Sequence, residues 1–507
     1  MRSAESETGI MNVQEVTAQA RENAYIYDLS ATLFKPETLF EQSVDNDRWV
    51  IFAPDFQGLP VLIDSATRDL MNSFENGAAV ADVLARHSDF IGTLGSISAL
   101  EERGFLRAYP AQLPYPAPPP RHAPRDFSAW LHITNMCNLK CDYCFVGEKT
   151  SEGMSPETMK MVAEQVRSTA ERYGTQNIAI KFAGGEPTIS VPRMELFRDI
   201  MLQTMQDSPA QVKFAVLSNG TLVKDQLLDF LTRTGTAMSI SLDGYGDDHD
   251  IYRRYGSGRG SWKTVSTNIE KLIEHGIRPY IMATISQESC SSLPELVQWI
   301  YGHGLRCRLS IVRNPNSSWA GGDRRAEYAE YNATIAAAFD KAFTVLEDPA
   351  TVIDLRSGLD LCELYFDRPT RGITCGTGDN HLVIKPDGTL VACPMTVMEP
   401  GLRPSGDLFA TAAATFPHSP AERHYERIED DCLSCKWFGV CSGGCPITNL
   451  RVKGHAFTRS PLCSFYKAVI PRYLTFFGTK LRQAEKMRGE VPSQLAHPRD
   501  EPSVAGC

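Results

Sequence analysis

Between Ser128 and Val312 short apolar strands alternate with amphipathic helices, and this rhythm narrows the fold more than any other feature of the chain. The strands read AWLHIT, IAIKFA, VKFAVLS, MSISLD, YIMATIS and CRLSIV. The first helix opens with Ser155-Pro156-Glu157 and closes at Gly174, a start signal and a stop signal of the usual kind. Further helices are predicted over 194–205, 223–231, 262–275 and 293–301. Strands that alternate with helices make a parallel sheet with right-handed crossovers. Six such units give an α/β fold, an open, partial (βα)6 barrel with its site at the C-terminal strand ends. Cys137, Gly184, Asn219 and Asp243 fall at those ends.

The chain has 507 residues and is 42% hydrophobic, enough for about three domains. Residues 1–44 are polar. Over 45–109, WVIFAP and LPVLID read as two strands with a turn at Asp55–Gly58 between them. Leu70 and Phe74, then Phe90, Leu94, Ile97 and Leu100, repeat at helical spacing until Gly104. This is a small α+β, winged-helix-like unit. Seven prolines in PAQLPYPAPPPRHAP make 110–124 a stiff linker and a domain boundary. The barrel core covers 125–335, a helical connection 336–369, a cysteine-rich extension 370–470 and a polar tail 471–507, predicted to be disordered from about 485.

The formal net charge is −10, from 51 basic and 61 acidic residues, which excludes the basic footprint of nucleic-acid binding. MRSAESETGI lacks the apolar run of a secretory signal, and no stretch approaches the ~20 apolar residues of a membrane span. The expectation is a soluble cytoplasmic protein with no nucleic-acid or membrane partner. In that compartment 14 clustered cysteines point to metal rather than to disulfides.

NMCNLKCDYCF places Cys137, Cys141 and Cys144 in a CxxxCxxC loop behind the first barrel strand. Full protein ligation of a cubane iron–sulfur cluster takes four cysteines. Three therefore leave one iron open. The bland alternatives are a zinc loop or three buried thiols. FAGGEPT follows the second strand, bringing Gly184, Gly185, Glu186 and Pro187. Glycines permit close backbone approach, and a carboxylate can accept from an ammonium; alone, the motif could also be a simple turn. Ser218 and Asn219 end the third strand, Ser241 and Asp243 the fourth, with Arg253 shortly after. Each of these also suits a turn or cap. Further on come Cys375, Cys393, Cys432, Cys435, Cys441, Cys445 and Cys463. Paired CxxC spacing alone would also suit a zinc ribbon.

Together the loop and its supporting motifs closely resemble the radical S-adenosylmethionine (SAM) superfamily. The resemblance implies that the amino and carboxylate groups of SAM chelate the open iron. One electron then splits SAM into methionine and a 5′-deoxyadenosyl radical, which removes a substrate hydrogen. By carry-over, Phe145 packs near adenine, the 184–187 loop holds the SAM amino group, and Ser218, Asn219, Ser241, Asp243 and Arg253 serve its ribose and carboxylate. The seven later cysteines resemble the SPASM extension of peptide-modifying members, which implies two auxiliary 4Fe–4S clusters and three in all. Cys432, Cys435, Cys441 and Cys463 would hold one, and Cys375, Cys393 and Cys445 the other. For the second, either Cys362 supplies the fourth ligand or one iron stays open to substrate. Cys290 and Cys307 read as buried core thiols.

Residues 45–109 resemble the PqqD-like recognition element of ribosomal-peptide maturases, where a leader peptide adds as an extra strand; a winged-helix DNA-binding domain has similar periodicity. The implied partners are a precursor peptide and an electron donor such as flavodoxin or ferredoxin. The implied reaction is hydrogen abstraction followed by thioether or carbon–carbon bond formation. Sulfatase-maturing relatives carry an Asp directly after the cysteine matching Cys393, whereas this chain has Pro394. A radical SAM enzyme of a small metabolite and a non-catalytic iron–sulfur or zinc scaffold are the alternatives of other classes.

Overall fold

A computed structural model describes residues 27–490 apart from 57, 110–125, 148, 314–324, 356–357, 367–376, 378–379, 416–429 and 455–457. The proline-rich linker and Cys375 lie outside the described residues.

Six strands run parallel in sequence order, each beside the next: β6 (Asp126–Thr134), β7 (Asn177–Gly184), β8 (Gln211–Ser218), β9 (Ala237–Ser241), β10 (Tyr280–Ile285) and β11 (Arg306–Ile311). Helices Pro156–Tyr173, Val191–Thr204, Asp225–Thr234, Trp262–Glu274 and Leu293–Gly302 alternate with them. Ser155 caps the first of these through its side chain and Gly174 ends it in the left-handed conformation. The barrel rhythm is therefore present as expected. Three further strands widen the sheet. β12 (Leu359–Leu361) pairs parallel to β11, β13 (His381–Ile384) parallel to β6, and β14 (Leu390–Val391) antiparallel to β13. These runs of two to four residues are too short for periodicity to reveal.

On β6 the side chains alternate. Phe127, Ala129, Leu131 and Ile133 enter the apolar core, while Ser128 and Trp130 take the other face, toward the barrel lumen. The helix expected in the 336–369 connection begins earlier, at Arg325, and runs to Leu346, ending shortly before Pro349, which disfavours its continuation.

The N-terminal unit starts earlier than residue 45. β2 (Phe40–Ser43), β3 (Arg48–Phe52) and β4 (Val61–Asp64) form one antiparallel sheet, and β1 (Thr32–Leu33) pairs with β5 (Ala78–Ala79). The three-stranded sheet is covered on both faces. Ile51, Val61 and Ile63 pack on the unit's own core with Leu70, Phe74, Leu94, Ile97 and Leu100. Phe40, Val50, Phe52 and Leu62 join the main core instead. Phe90, counted on the helix face by its spacing, is 47% exposed.

The expected tail needs correction. Residues 463–490 form a single helix, Cys463–Glu490, with Leu474, Phe476, Phe477 and Leu481 buried. It lies against β3, where a side chain at Gly478 would come within 2.6 Å of Val50. Arg48 pairs with Glu485 at 2.9 Å and Arg482 with Asp45 at 2.8 Å. Ile470, Leu474, Phe477 and Leu481 recur at helical spacing, but the many charges around them mask the stripe. Because Phe476 is fully buried and stacks on Phe343 at 5.3 Å, Phe476→Ala is expected to cost about 3–5 kcal/mol. Denaturant unfolding measures this, and a loss under about 1 kcal/mol would contradict an integral helix.

Candidate active site

The cysteine loop leaves β6 and is gripped from three sides. From the end of β7, the Gly185 N–H donates to Thr134 O at 2.9 Å and the Glu186 N–H to Met136 O at 2.7 Å. A Cβ on Gly184 would stand 2.1 Å from Thr134 O, and one on Gly185 2.1 Å from Met136 O. The glycines are thus needed for the loop to seat at all. From the end of β8, Asn219 Nδ2 donates to Asn138 Oδ1 at 2.9 Å, and Asn138 Nδ2 donates to Thr221 Oγ1 at 2.8 Å. From beyond β9, Arg254 O accepts from the Lys140 N–H at 2.7 Å, and the Arg254 guanidinium donates to Asp142 at 2.9 Å.

Glu186 is completely buried at the centre of this grip. Its carboxylate accepts from the Thr188 N–H and hydroxyl at 3.1 and 2.6 Å, from Ser218 Oγ at 2.9 Å and from the Asn219 N–H at 2.6 Å. Burial raises its pKa, and these four donors act in the opposite direction. The structure therefore turns Glu186, Ser218 and Asn219 toward one another, joining the ends of β7 and β8. Pro187 begins the short 3-10 turn Pro187–Ser190 that follows.

Asp243 joins a second buried knot. Its Oδ1 accepts from the Thr284 N–H at 2.9 Å, and its Oδ2 accepts from the Tyr143 hydroxyl and from Arg253 at 3.4 Å. Arg253 also donates to Tyr143 Oη at 2.6 Å. Burial first, then the Asp243 charge, pushes the Tyr143 hydroxyl well above its ordinary pKa. Ser241 ends β9 opposite Met282. Phe145 packs against Ala392, Cys393, Met395, Cys445 and Ile447, which ties the loop to the cysteine-rich extension.

Cys137, Cys141 and Cys144 are free thiols that sense one another electrostatically. Burial pushes Cys141 up to about 11 and raises Cys137. Donors point at the sulfurs: Lys149 Nζ lies 2.9 Å from Cys144 Sγ, the Leu139 N–H 3.5 Å from Cys137 Sγ, and Asn219 Nδ2 3.8 Å from the same atom. Among the described residues no three cysteine, histidine or acidic side chains converge closely enough to grip a single metal ion. The fit to a cluster lies in the donor chemistry: three neighbouring thiols, Cys137 and Cys141 among them desolvated, with N–H groups that would stabilise thiolate sulfur.

The later cysteines sort into two sets. Cys441 feels Cys435, Cys432 and Cys463, and burial pushes it up to about 12. Cys362, Cys393 and Cys445 instead line one cavity, and Arg313 donates to Cys362 Sγ at 2.6 Å. Cys290 and Cys307 are buried, 4% and 0% exposed, as the sequence suggests for core thiols.

The cavity occupies the barrel lumen. Tyr143 and Phe145 of the cysteine loop line it together with Cys362, Cys393 and Cys445. Sequence reasoning missed Tyr143, Lys149, Trp130 and His381. Only the inward alternation on β6 could have singled out Trp130, and nothing in CDYCF distinguishes Tyr143 from a core aromatic.

Residues 131–300 match the family model described as the Radical SAM superfamily. The segment is a radical SAM domain, and the chain is a radical SAM enzyme. It is 23% identical over 325 residues to a cysteine-type anaerobic sulfatase-maturating enzyme of Clostridium novyi (strain NT), covering 61% of this chain and 84% of that relative. It is 24% identical over 356 residues to the antilisterial bacteriocin subtilosin biosynthesis protein AlbA of Bacillus subtilis (strain 168), covering 68% and 72%. The chain is thus related to both peptide maturases and sulfatase maturases. The solved structure of native anSMEcpe with bound AdoMet shares the fold, with a TM-score of 0.53 at 16% identity, over 71% of this chain and 100% of that one. Among the described residues no helix is long and apolar enough to cross a membrane.

Two outcomes follow from this geometry. Gly185→Ala is expected to unseat the loop, so anaerobically reconstituted protein should hold about four fewer irons per chain; unchanged iron would contradict the grip. His381, whose pKa burial and then Lys181 and Arg308 push down to about 3, stays neutral when folded. The unfolded chain takes up that proton below about pH 6.5, so stability is full above that pH and falls as acid is added. Between pH 6.5 and 5 the loss should be about 2 kcal/mol and shrink in His381→Gln, as read by denaturant midpoints. A loss of equal size in the variant would count against a buried neutral imidazole.

Proposed function

We propose that the protein modifies a ribosomally made peptide, joining two of its side chains, or a side chain and a backbone carbon, through a thioether or a carbon–carbon bond. One observation carries this reading: the lumen cavity runs between the three-cysteine loop and a second group of thiols. A peptide side chain in that space lies between the two.

When bound, SAM and the clusters supply an electron, a deoxyadenosyl radical that takes a hydrogen, and a sink for the electron left over. Cys137, Cys141 and Cys144 would hold the first cluster. Cys432, Cys435, Cys441 and Cys463 would hold a second. Cys375, Cys393 and Cys445 would hold a third, and the place of Cys362 on the wall of the cavity that Cys393 and Cys445 also line supports it as the fourth ligand. The chain's own part is to bind, orient and exclude water. The 184–187 loop would present backbone groups to SAM. Ser241, Asp243 and Arg253 would bound its ribose and carboxylate, and Phe145 would flank the adenine. The N-terminal sheet would take the leader along an open strand edge. Pro394, where sulfatase maturases carry Asp, favours the peptide reading over the sulfatase one.

The test is co-expression with any short peptide found encoded beside the gene, followed by mass spectrometry. The expected product has lost two hydrogens per new bond. An unmodified peptide, with SAM still cleaved, would redirect the assignment to another substrate class. Purified protein should carry roughly twelve irons per chain, and replacing Cys137, Cys141 and Cys144 together by Ala should abolish reductive SAM cleavage. Cleavage at the parental rate would sink the enzyme reading itself.

A further inference from the structure

One wall of the lumen is polar and belongs neither to the cysteine loop nor to the second group of thiols. On it Ser128 and Trp130 face inward from β6, and His381 on β13 stands in register beside Ser128. Ser128 Oγ and His381 Nδ1 are 2.9 Å apart, and the Trp130 and His381 rings meet edge to face at 5.9 Å. The other imidazole nitrogen, Nε2, and the indole Nε1 are both buried without a hydrogen-bond partner among the described residues. His381 is only 3% exposed, and both side chains line the cavity.

An unpaired buried polar atom costs desolvation energy, and native folds retain it chiefly where something outside the fold completes the bond. An indole N–H can only donate. Its missing partner is therefore an acceptor. The neighbourhood also carries positive charge. Lys181 is opposite Trp130 in register on β7, and Arg308, paired with Asp360, lines the same cavity. These two cations, after burial, keep the imidazole neutral. A field that repels a proton from His381 draws in an anion.

We propose that the lumen receives the carboxylate of an acidic side chain of the substrate peptide, held by the Trp130 Nε1–H and the His381 Nε2–H, with Ser128 donating to Nδ1 to fix the tautomer. This rests on the peptide-maturase reading for the source of the side chain. It makes Trp130 and His381 residues that position substrate and select for it.

The test needs no turnover. Full-length protein, purified anaerobically with its clusters and labelled with 15N, is titrated with N-acetyl-glutamate N-methylamide or with the glutamine equivalent. The chain has six tryptophans, and the Trp130 indole signal is the one absent from Trp130→Phe. The glutamate probe should shift that signal saturably, with the glutamine probe at least tenfold weaker. His381→Ala should weaken the glutamate probe at least tenfold, and His381→Gln, which keeps an N–H donor, should recover part of the loss. An unmoved signal, equal response to the two probes, or an unaffected His381→Ala would overturn the proposal. Loss of SAM cleavage, by contrast, bears only on the enzyme reading and leaves this titration standing.

Discussion

The site depends on one buried carboxylate. Glu186 gives up its hydration entirely, and four donors from the ends of β7 and β8 take its place. Its own N–H reaches back to the cysteine loop. A charge so buried is tolerated only when its lone pairs are filled, and removing one partner leaves the rest exposed to the full penalty. The arrangement therefore acts as a lock. The loop, the glycine turn and the Ser218–Asn219 corner are all in place together or not at all. The three thiols stand on a stretch of backbone that these hydrogen bonds hold in place.

Around that lock the fold wraps its other parts inward. The connection before the cysteine-rich extension supplies β12 and the extension supplies β13, one at each edge of the barrel sheet, and Cys362, Cys393 and Cys445 line the lumen. Phe145 bridges the first loop to this region. The N-terminal sheet packs through Phe40 on Trp437 and through Phe52 on Phe366, at 5.8 and 5.9 Å, and through Val50 on the C-terminal helix. A sheet buried on both faces is a fixed part of the molecule rather than a tethered module. Its contact at Trp437 falls between Cys435 and Cys441.

The barrel was legible because short, largely apolar strands alternate with helices, the first of which is opened by Ser155 and closed by Gly174. The cysteine loop and glycine turn were legible as motifs. The direction of Glu186 was not, since its partners come from residues 188, 218 and 219 and only folding joins them. The same holds for Tyr143, Asp243 and Arg253, which span about a hundred residues of sequence. Short strands such as β13 carry too few residues for alternation to register, so His381 stayed invisible. The C-terminal helix was misread for another reason. Its apolar stripe is real, but the basic and acidic residues that pair with Asp45 and Arg48 look like a solvated tail until those partners are known.

The account stands or falls on one iron at the Cys137, Cys141 and Cys144 loop having no protein ligand. Electron–nuclear double resonance of the reduced protein, with SAM carrying 15N in its amino group, observes that iron directly. A strong coupling at the 15N frequency that disappears with unlabelled SAM is the predicted result. A spectrum indifferent to the label, with SAM present in excess, would contradict it.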